Sequence, residues 1–168
     1  KLLNKADRVE TRGQIKELRQ DLKARIASRA ATLKSVLASF RDQKKASVAA
    51  KINDNLNKIN EKKTDAFTRH LDKMSEILAK LARKVQEASS SGKDATAAQG
   101  AIASASASID SAKAAVETQS LKDYTITATS EATIREDARL QRNNLHTDLK
   151  AVHQLVVAAR KSLAYAIR

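Results

Sequence analysis

The sequence contains no cysteine and no proline, and its 168 residues include only three glycines, two tyrosines and two phenylalanines. Without cysteine there is no disulfide and no thiolate for catalysis or metal binding. Average usage would give about eight prolines in a chain of this length, so their absence favours long helices. The shortage of aromatic side chains argues against a large apolar ligand pocket. No apolar run reaches about 18 residues, so we expect no transmembrane helix.

Positive charge is abundant and unevenly distributed. The net charge is +13. Counting Lys and Arg against Asp and Glu gives +8 for residues 1–50, +3 for residues 51–92, −1 for residues 93–129 and +3 for residues 130–168. A basic segment of this kind attracts nucleic acid, an anionic cell-wall polymer or an anionic lipid surface, and charge alone does not choose among them.

An eleven-residue repeat runs through the first half of the chain. Its first column contains Ile15, Ile26, Leu37, Val48, Ile59, His70 and Leu81. Eleven residues in three turns is about 3.67 residues per turn, so this column stays on one face of a nearly straight helix. We therefore predict a single helix over residues 2–89, which continues through FRDQKKASVAAKIN at residues 40–53. The alternative is a turn near residues 43–46, and Lys44 favours it slightly because it interrupts the apolar face.

The second half of the chain predicts two further helices. Gly92 can adopt the left-handed conformation that ends a helix, and Asp94 can cap the next one. Residues 94–120 then carry a heptad pattern of mostly alanine and isoleucine. The segment Leu121 to Thr129 alternates Tyr124, Ile126 and Ala128 with threonines, which is typical of extended chain. Thr129 or Ser130 can cap a last helix over residues 130–167.

Together these patterns predict an all-α protein, an elongated antiparallel helical bundle with one very long N-terminal helix. Residues 46–168 would form a three-helix bundle of about 46–89, 94–120 and 130–167, and residues 1–45 would be a projecting basic arm. A turn near residues 43–46 would instead give a four-helix bundle.

The predicted arm carries a stripe of large apolar side chains. Its members are Ile15, Leu18, Leu22, Ile26, Leu33, Leu37 and Phe40. Monomeric proteins rarely leave such a contiguous stripe exposed to water, so we predict self-association through it, as a homo-oligomer or filament. The competing prediction is that Arg12, Lys16, Arg19, Lys23 and Arg29 bind an anionic polymer or a membrane surface.

Catalytic and metal-binding patterns are absent from the sequence. The histidines form no HExxH or ExxH motif, and no serine lies in a G-x-S-x-G elbow. The asparagine-rich segment NDNLNKIN, residues 53–60, superficially resembles a calcium loop, but Lys58 occupies the glycine position and Thr64 the twelfth position. We assign that segment to a solvated helix face. We predict no enzyme activity, no cofactor, no metal and no small-molecule substrate.

Three stretches carry a resemblance to a known group of proteins. FRDQKKASVAAKINDNLNKINEKKTDAFTRHLDKMSEILAKL, KDYTITATSEAT and LHTDLKAVHQLVVAARK are similar to uncharacterised, predicted exported helical proteins of candidate-phyla-radiation bacteria, over about residues 8–167. The resemblance implies an export signal cleaved near Lys1, and an extracellular or cell-envelope location. It transfers no functional residue. The sequence as a whole therefore predicts a non-enzymatic extracytoplasmic structural or adhesive protein.

Overall fold

The structure is a computed structural model that describes residues 5–128 and 130–168, with side chains from residue 13 onward. Within those residues the chain forms four α-helices. They are α1 (Lys5–Ala38), α2 (Gln43–Ser90), α3 (Thr96–Ser120) and α4 (Ile134–Ala166). The described residues contain no β-strand, and the helices pack against one another. The predicted all-α helical bundle is therefore confirmed.

The chain turns at residues 39–42, so the prediction of a single helix through residues 2–89 is wrong. The carboxylate Oδ1 of Asp42 accepts hydrogen bonds from the backbone N–H groups of Lys44 and Lys45, each at 3.0 Å. An aspartate in this position caps the N-terminus of a helix and satisfies amides that have no partner within it. The four-helix alternative is closer, but residues 43–46 are the first turn of α2 and not the connection.

The eleven-residue repeat does not mark one buried face across this turn. In α2 its column continues through Val48 and Ile59, whose side chains are 57% and 42% exposed. The buried face at this end of α2 contains Ala46, Ala49, Asn53, Leu56, Asn60 and Thr64. Half of these are polar, so hydrophobicity did not reveal the face that packs.

The packing divides the chain into two compact units. Unit 1 comprises Lys1–Glu61 and Ser120–Thr147, and unit 2 comprises Lys62–Gln119 and Asp148–Arg168. The predicted boundary between an arm at residues 1–45 and a bundle at residues 46–168 is not a division of this packing. Part of the predicted arm belongs to the same unit as the start of α2 and the start of α4.

Unit 2 contains an apolar core formed by three helices. Its buried cluster is Leu71, Met74, Leu78, Ala105, Ile109, Ala112, Val116, Val152, Val156, Ala159 and Leu163. These residues recur in steps of three and four along each helix, which is the spacing that keeps side chains on one face. Helices α2, α3 and α4 therefore share one apolar core in unit 2.

The end of α2 follows the sequence prediction closely. Gly92 has φ of 80°, the left-handed conformation that side-chain-bearing residues rarely adopt. The N–H of Gly92 bonds the Ser89 carbonyl and the N–H of Lys93 bonds the Ala88 carbonyl, at 3.0 and 3.1 Å. This pair of bonds is a Schellman motif. Asp94 lies just before α3 and accepts from the N–H of Thr96 at 3.0 Å. Hydrogen bonds from the backbone and the side chain of Thr96 lower the pKa of Asp94.

The start of α4 lies later than predicted. Residues 131–133 form a turn and α4 begins at Ile134. The Thr133 carbonyl accepts from the N–H groups of Glu136 and Asp137, at 2.9 and 3.0 Å. Ser130, one of the two proposed caps, bonds Thr133 and stays outside the helix. The other proposed cap, Thr129, lies outside the described residues.

Candidate interaction surfaces

The stripe predicted for self-association is largely covered within unit 1. Leu22, Leu33, Leu37 and Phe40 are buried, and Ile15 and Ile26 are half-buried. Leu18 alone among the seven predicted residues is exposed, at 50%. The prediction that this apolar stripe is exposed to water is therefore wrong. The turn at residues 39–42 lets other residues of the same chain pack against it.

Two of the five cations predicted to bind anions pair with carboxylates in unit 1. Arg29 bonds the Asp123 carboxylate at 2.7 Å and the Thr127 hydroxyl at 3.0 Å. Lys23 pairs with Glu61 at 2.7 Å. Lys23 and Arg29 therefore join α1 to other parts of unit 1.

The remaining three residues of that predicted set differ from one another. Arg19 donates from Nε to the Ser120 hydroxyl at 3.2 Å. Lys16 is exposed, and the side chain of Arg12 lies outside the described residues. The structure therefore does not present these five residues as one row of free cations.

A row of asparagines on α2 holds the extended segment at residues 121–128. The Asn53 carbonyl oxygen accepts from the N–H of Ile126 at 2.9 Å, and that of Asn57 accepts from the N–H of Tyr124 at 2.8 Å. Asn60 donates to the carbonyl of Lys122 at 3.4 Å. Alternate residues of an extended chain present their backbone groups along one edge. The asparagine side chains therefore occupy the place that a neighbouring strand would take.

This arrangement corrects the assignment of residues 53–60 to a solvated helix face. Asn53 and Asn60 are 5% and 3% exposed, and the segment they hold buries Tyr124, Thr125 and Ile126. A buried backbone amide without a partner costs about 1–3 kcal/mol. The sequence predicts extended chain from Leu121 to Thr129; the structure gives residues 122–128 no helix or strand, and Thr129 lies outside the described residues.

Asp123 is the ionised centre of this network. Its Oδ1 accepts from the N–H and hydroxyl of Thr125, at 2.8 and 2.6 Å, and from Asn57 at 3.4 Å. Partial burial raises the pKa of Asp123, but the hydrogen bonds from Thr125 and the positive charge of Arg29 outweigh that effect, so the pKa is lowered. The carboxylate is therefore charged near neutral pH and bonds α1 and α2 to the extended segment.

Glu131 binds the turn between α1 and α2. Its two carboxylate oxygens accept from the backbone N–H groups of Arg41 and Asp42, at 2.8 and 3.0 Å. These two amides lie outside both helices and have no partner in a helical ladder. A carboxylate that lies about 90 residues further along the chain therefore stabilises the turn within unit 1.

A row of cations on α2 in unit 2 was not singled out from the sequence. We call it the α2 basic face: Lys62, Arg69, Lys73, Lys80 and Lys84. Steps of seven and four residues keep all five within about 60° around the helix axis, along about 33 Å of helix. All five are exposed, and the buried residues of this part of α2 lie on the opposite side.

The five cations of the α2 basic face form no ion pair among the described residues, although Asp65 and Glu87 lie beside or within the row on the same helix. Among the described residues, none of its five cations has a carboxylate oxygen within 4.0 Å. Glu76 lies at the edge of the row and is also exposed. Two cations near the row are paired: Arg83 lies 4.0 Å from Glu87, and Lys113 of α3 lies 3.4 Å from Asp72. The sequence signal was the recurrence of lysine and arginine opposite the apolar seam.

Other candidate sites offer little chemistry. The described residues contain no group of three His, Cys, Asp or Glu side chains that could hold a metal ion. His153 of α4 contacts Phe67 of α2 in unit 2, with ring centroids 5.9 Å apart. A shallow, open depression of about 210 Å³ beside the turn is lined by Lys34, Leu37, Ala38, Gln43, Ala46, Ser47 and Ala50. Over the part of the chain that the structure describes, no helix has the length and hydrophobicity needed to cross a membrane.

Comparison with known proteins adds no family to this description. No protein-family model, curated protein or solved structure matches the chain.

Proposed function

We propose that this protein is a non-enzymatic helical binding module that attaches to a linear polyanion through the α2 basic face. The observation that carries the proposal is the row of five exposed cations without internal carboxylate partners. Lys113 of α3 pairs with Asp72, whereas no cation of the α2 basic face forms an ion pair among the described residues, so the charge of the row is available to a ligand. Binding would be driven by release of counter-ions from the polymer.

A linear polymer fits this face better than a membrane surface. Interfacial helices bury a broad apolar side with tryptophan, phenylalanine or leucine, whereas the exposed large apolar residue on this part of α2 is Ile77, at 46%. The cations follow the helix in a narrow line rather than flanking an apolar face. A polymer chain laid along that line would meet them in succession, with no need for base-stacking aromatics.

The test is binding of a labelled, mixed-sequence single-stranded DNA and of inorganic polyphosphate over a range of salt concentrations. Each phosphate contact contributes a slope of about −0.7 to the plot of log affinity against log salt for single strands. The triple variant Lys73→Gln, Lys80→Gln and Lys84→Gln should lower the magnitude of that slope by about 2 and weaken binding at low salt.

The control removes the same charge elsewhere. Arg25, Lys34 and Lys93 are exposed and lie outside the α2 basic face, so the triple glutamine variant there should bind nearly as well as the parent protein. Equal losses in the two triple variants would show that only net charge matters and would defeat the proposal. Failure of the parent protein to bind either polymer would also defeat it.

We also propose a second function, self-association with a structural or adhesive role, on a different surface from the predicted one. Its support is the pair Val48 and Ile59, which are exposed in unit 1 at the eleven-residue interval. Sedimentation velocity over a concentration series tests it: Val48→Lys with Ile59→Lys should reduce any oligomer, whereas Leu18→Lys should not. A monomer at every concentration would refute this second proposal.

The extracytoplasmic location inferred from the resemblance stays a prediction, which detection in the culture medium or cell envelope would test.

A further inference from the structure

The α2 basic face is a narrow line of cations within unit 2. All five cations belong to one uninterrupted helix, and the steps between them alternate between seven and four residues. These steps correspond to about 10.5 and 6 Å of rise, and neighbouring cations differ by at most about 40° around the helix axis. A ligand that contacts all five must therefore follow a nearly straight path of about 33 Å.

Carboxylates border this line on one side. Asp65 and Glu76 lie about 60° and 40° around the helix axis from Lys62, both in the same direction. Asp72 lies further round in that direction and pairs with Lys113 of α3 at 3.4 Å. Glu76 is exposed to solvent. A second anionic chain on this side would approach fixed negative charge, so the positive surface there is only about as wide as one chain.

A DNA duplex does not follow a straight line of this length. Each of its strands winds once around the duplex axis in about 34 Å, which is close to the length of the whole row. A straight row laid along the duplex therefore meets each strand about once, and the cations between the two crossings lie over a groove. A strand could follow the row only if the two strands separated, which would break base pairs. A single chain has no such constraint and can extend along the row.

We propose that the α2 basic face binds one polyanionic chain along its whole length, such as single-stranded nucleic acid or polyphosphate, and contacts a duplex only at isolated points. The inference rests on the function proposed above and names the form of the polyanion. A single strand in contact with all five cations should contribute about −3.5 to the slope of log affinity against log salt, from about −0.7 per contact. A duplex that meets two cations should contribute about −1.8, from about −0.9 per contact.

The experiment compares a labelled, mixed-sequence single-stranded DNA with the same strand annealed to its complement, over a range of salt concentrations. The parent protein is measured beside a variant that combines Lys62→Gln, Arg69→Gln, Lys73→Gln, Lys80→Gln and Lys84→Gln. The difference between the two proteins isolates the α2 basic face from positive charge elsewhere. We expect the variant to lower the magnitude of the slope by about 3.5 for the single strand and by about 1.8 for the duplex. Circular dichroism checks that the variant stays folded.

Inorganic polyphosphate is the third probe, because it is a single chain without bases. The variant should weaken its binding as well, and the tighter binder of the two single chains identifies the better candidate for the natural ligand. The glutamine variant at Arg25, Lys34 and Lys93 is the control for charge elsewhere. It should show no excess loss for the single strand over the duplex.

Two outcomes would overturn the inference. If the five-residue variant lowers the slope for the duplex as much as for the single strand, the line of cations does not distinguish the two forms, and the proposed function stands without this refinement. If the slope changes for neither ligand, the α2 basic face binds no polyanion, and the proposed function fails together with the inference.

Discussion

The two units of this protein are stabilised by different chemistry. Unit 2 has an apolar cluster from three helices, with residues such as Leu71 and Ile109 at 0% and 1% exposure. Unit 1 buries leucines as well, but its extended segment is held by asparagine side chains and by the ionised Asp123. An apolar core tolerates changes that preserve volume, whereas a hydrogen-bonded segment needs a particular partner at each buried polar group.

The largest expected effect tests the apolar side of this comparison. Leu71→Ala removes a fully buried side chain from unit 2 and should lower the free energy of unfolding by about 2–5 kcal/mol, from lost burial and the cavity left behind. Ile77→Ala is the matched control on the same helix, because Ile77 is 46% exposed and should cost far less. Chemical denaturation measures both. Similar losses for the two variants would contradict the assigned core.

The second-largest expected effect tests the hydrogen bonds that hold the extended segment of unit 1. Asn53→Ala leaves the buried N–H of Ile126 without its acceptor and should cost about 1–3 kcal/mol. Asn55→Ala is the matched control, since Asn55 is exposed on the same turn of α2. Amide hydrogen exchange would add detail: the N–H of Ile126 should exchange faster in the Asn53 variant. Unchanged protection at that amide would show that the asparagine does not hold the segment.

The smallest effect concerns pH. Because the pKa of Asp123 is lowered in the folded protein, its ionised form stabilises the fold above its unfolded value of about 3.9, and this stabilisation is lost as pH falls through the folded pKa. Asp123 is partly exposed, so the difference should be about 1 kcal/mol or less. Asp123→Asn should be less stable than the parent at pH 7, and the difference should shrink below about pH 4. A difference that stays constant down to pH 2 would contradict this role.

Unit 2 was largely predictable from the sequence, because its signals are local and apolar. Heptad spacing in α3, the glycine at position 92 and the aspartate at position 94 each act within a few residues. The alternation in unit 1 that predicts extended chain from Leu121 to Thr129 is a local signal of the same kind. Helix ends and faces of this kind follow from backbone capping and amphipathicity alone.

Unit 1 was less predictable, because its packing depends on polar residues far apart in the chain. The buried face of α2 contains Asn53 and Asn60, which a search for apolar columns passes over. The turn had a local signal in Asp42, but its second support, Glu131, is remote. The same long-range contacts explain why Lys23 and Arg29 were predicted as free anion-binding cations.

The bond from Glu131 to the turn has a consequence for synthesis on the ribosome. A chain that emerges from its N-terminus presents Arg41 and Asp42 about 90 residues before the carboxylate that accepts from their amides. At about 5–20 residues per second, that interval is roughly 5–20 s. We expect the nascent α1–α2 hairpin to remain susceptible to proteases during this time, and limited proteolysis of stalled chains ending before and well after residue 131 would reveal the difference.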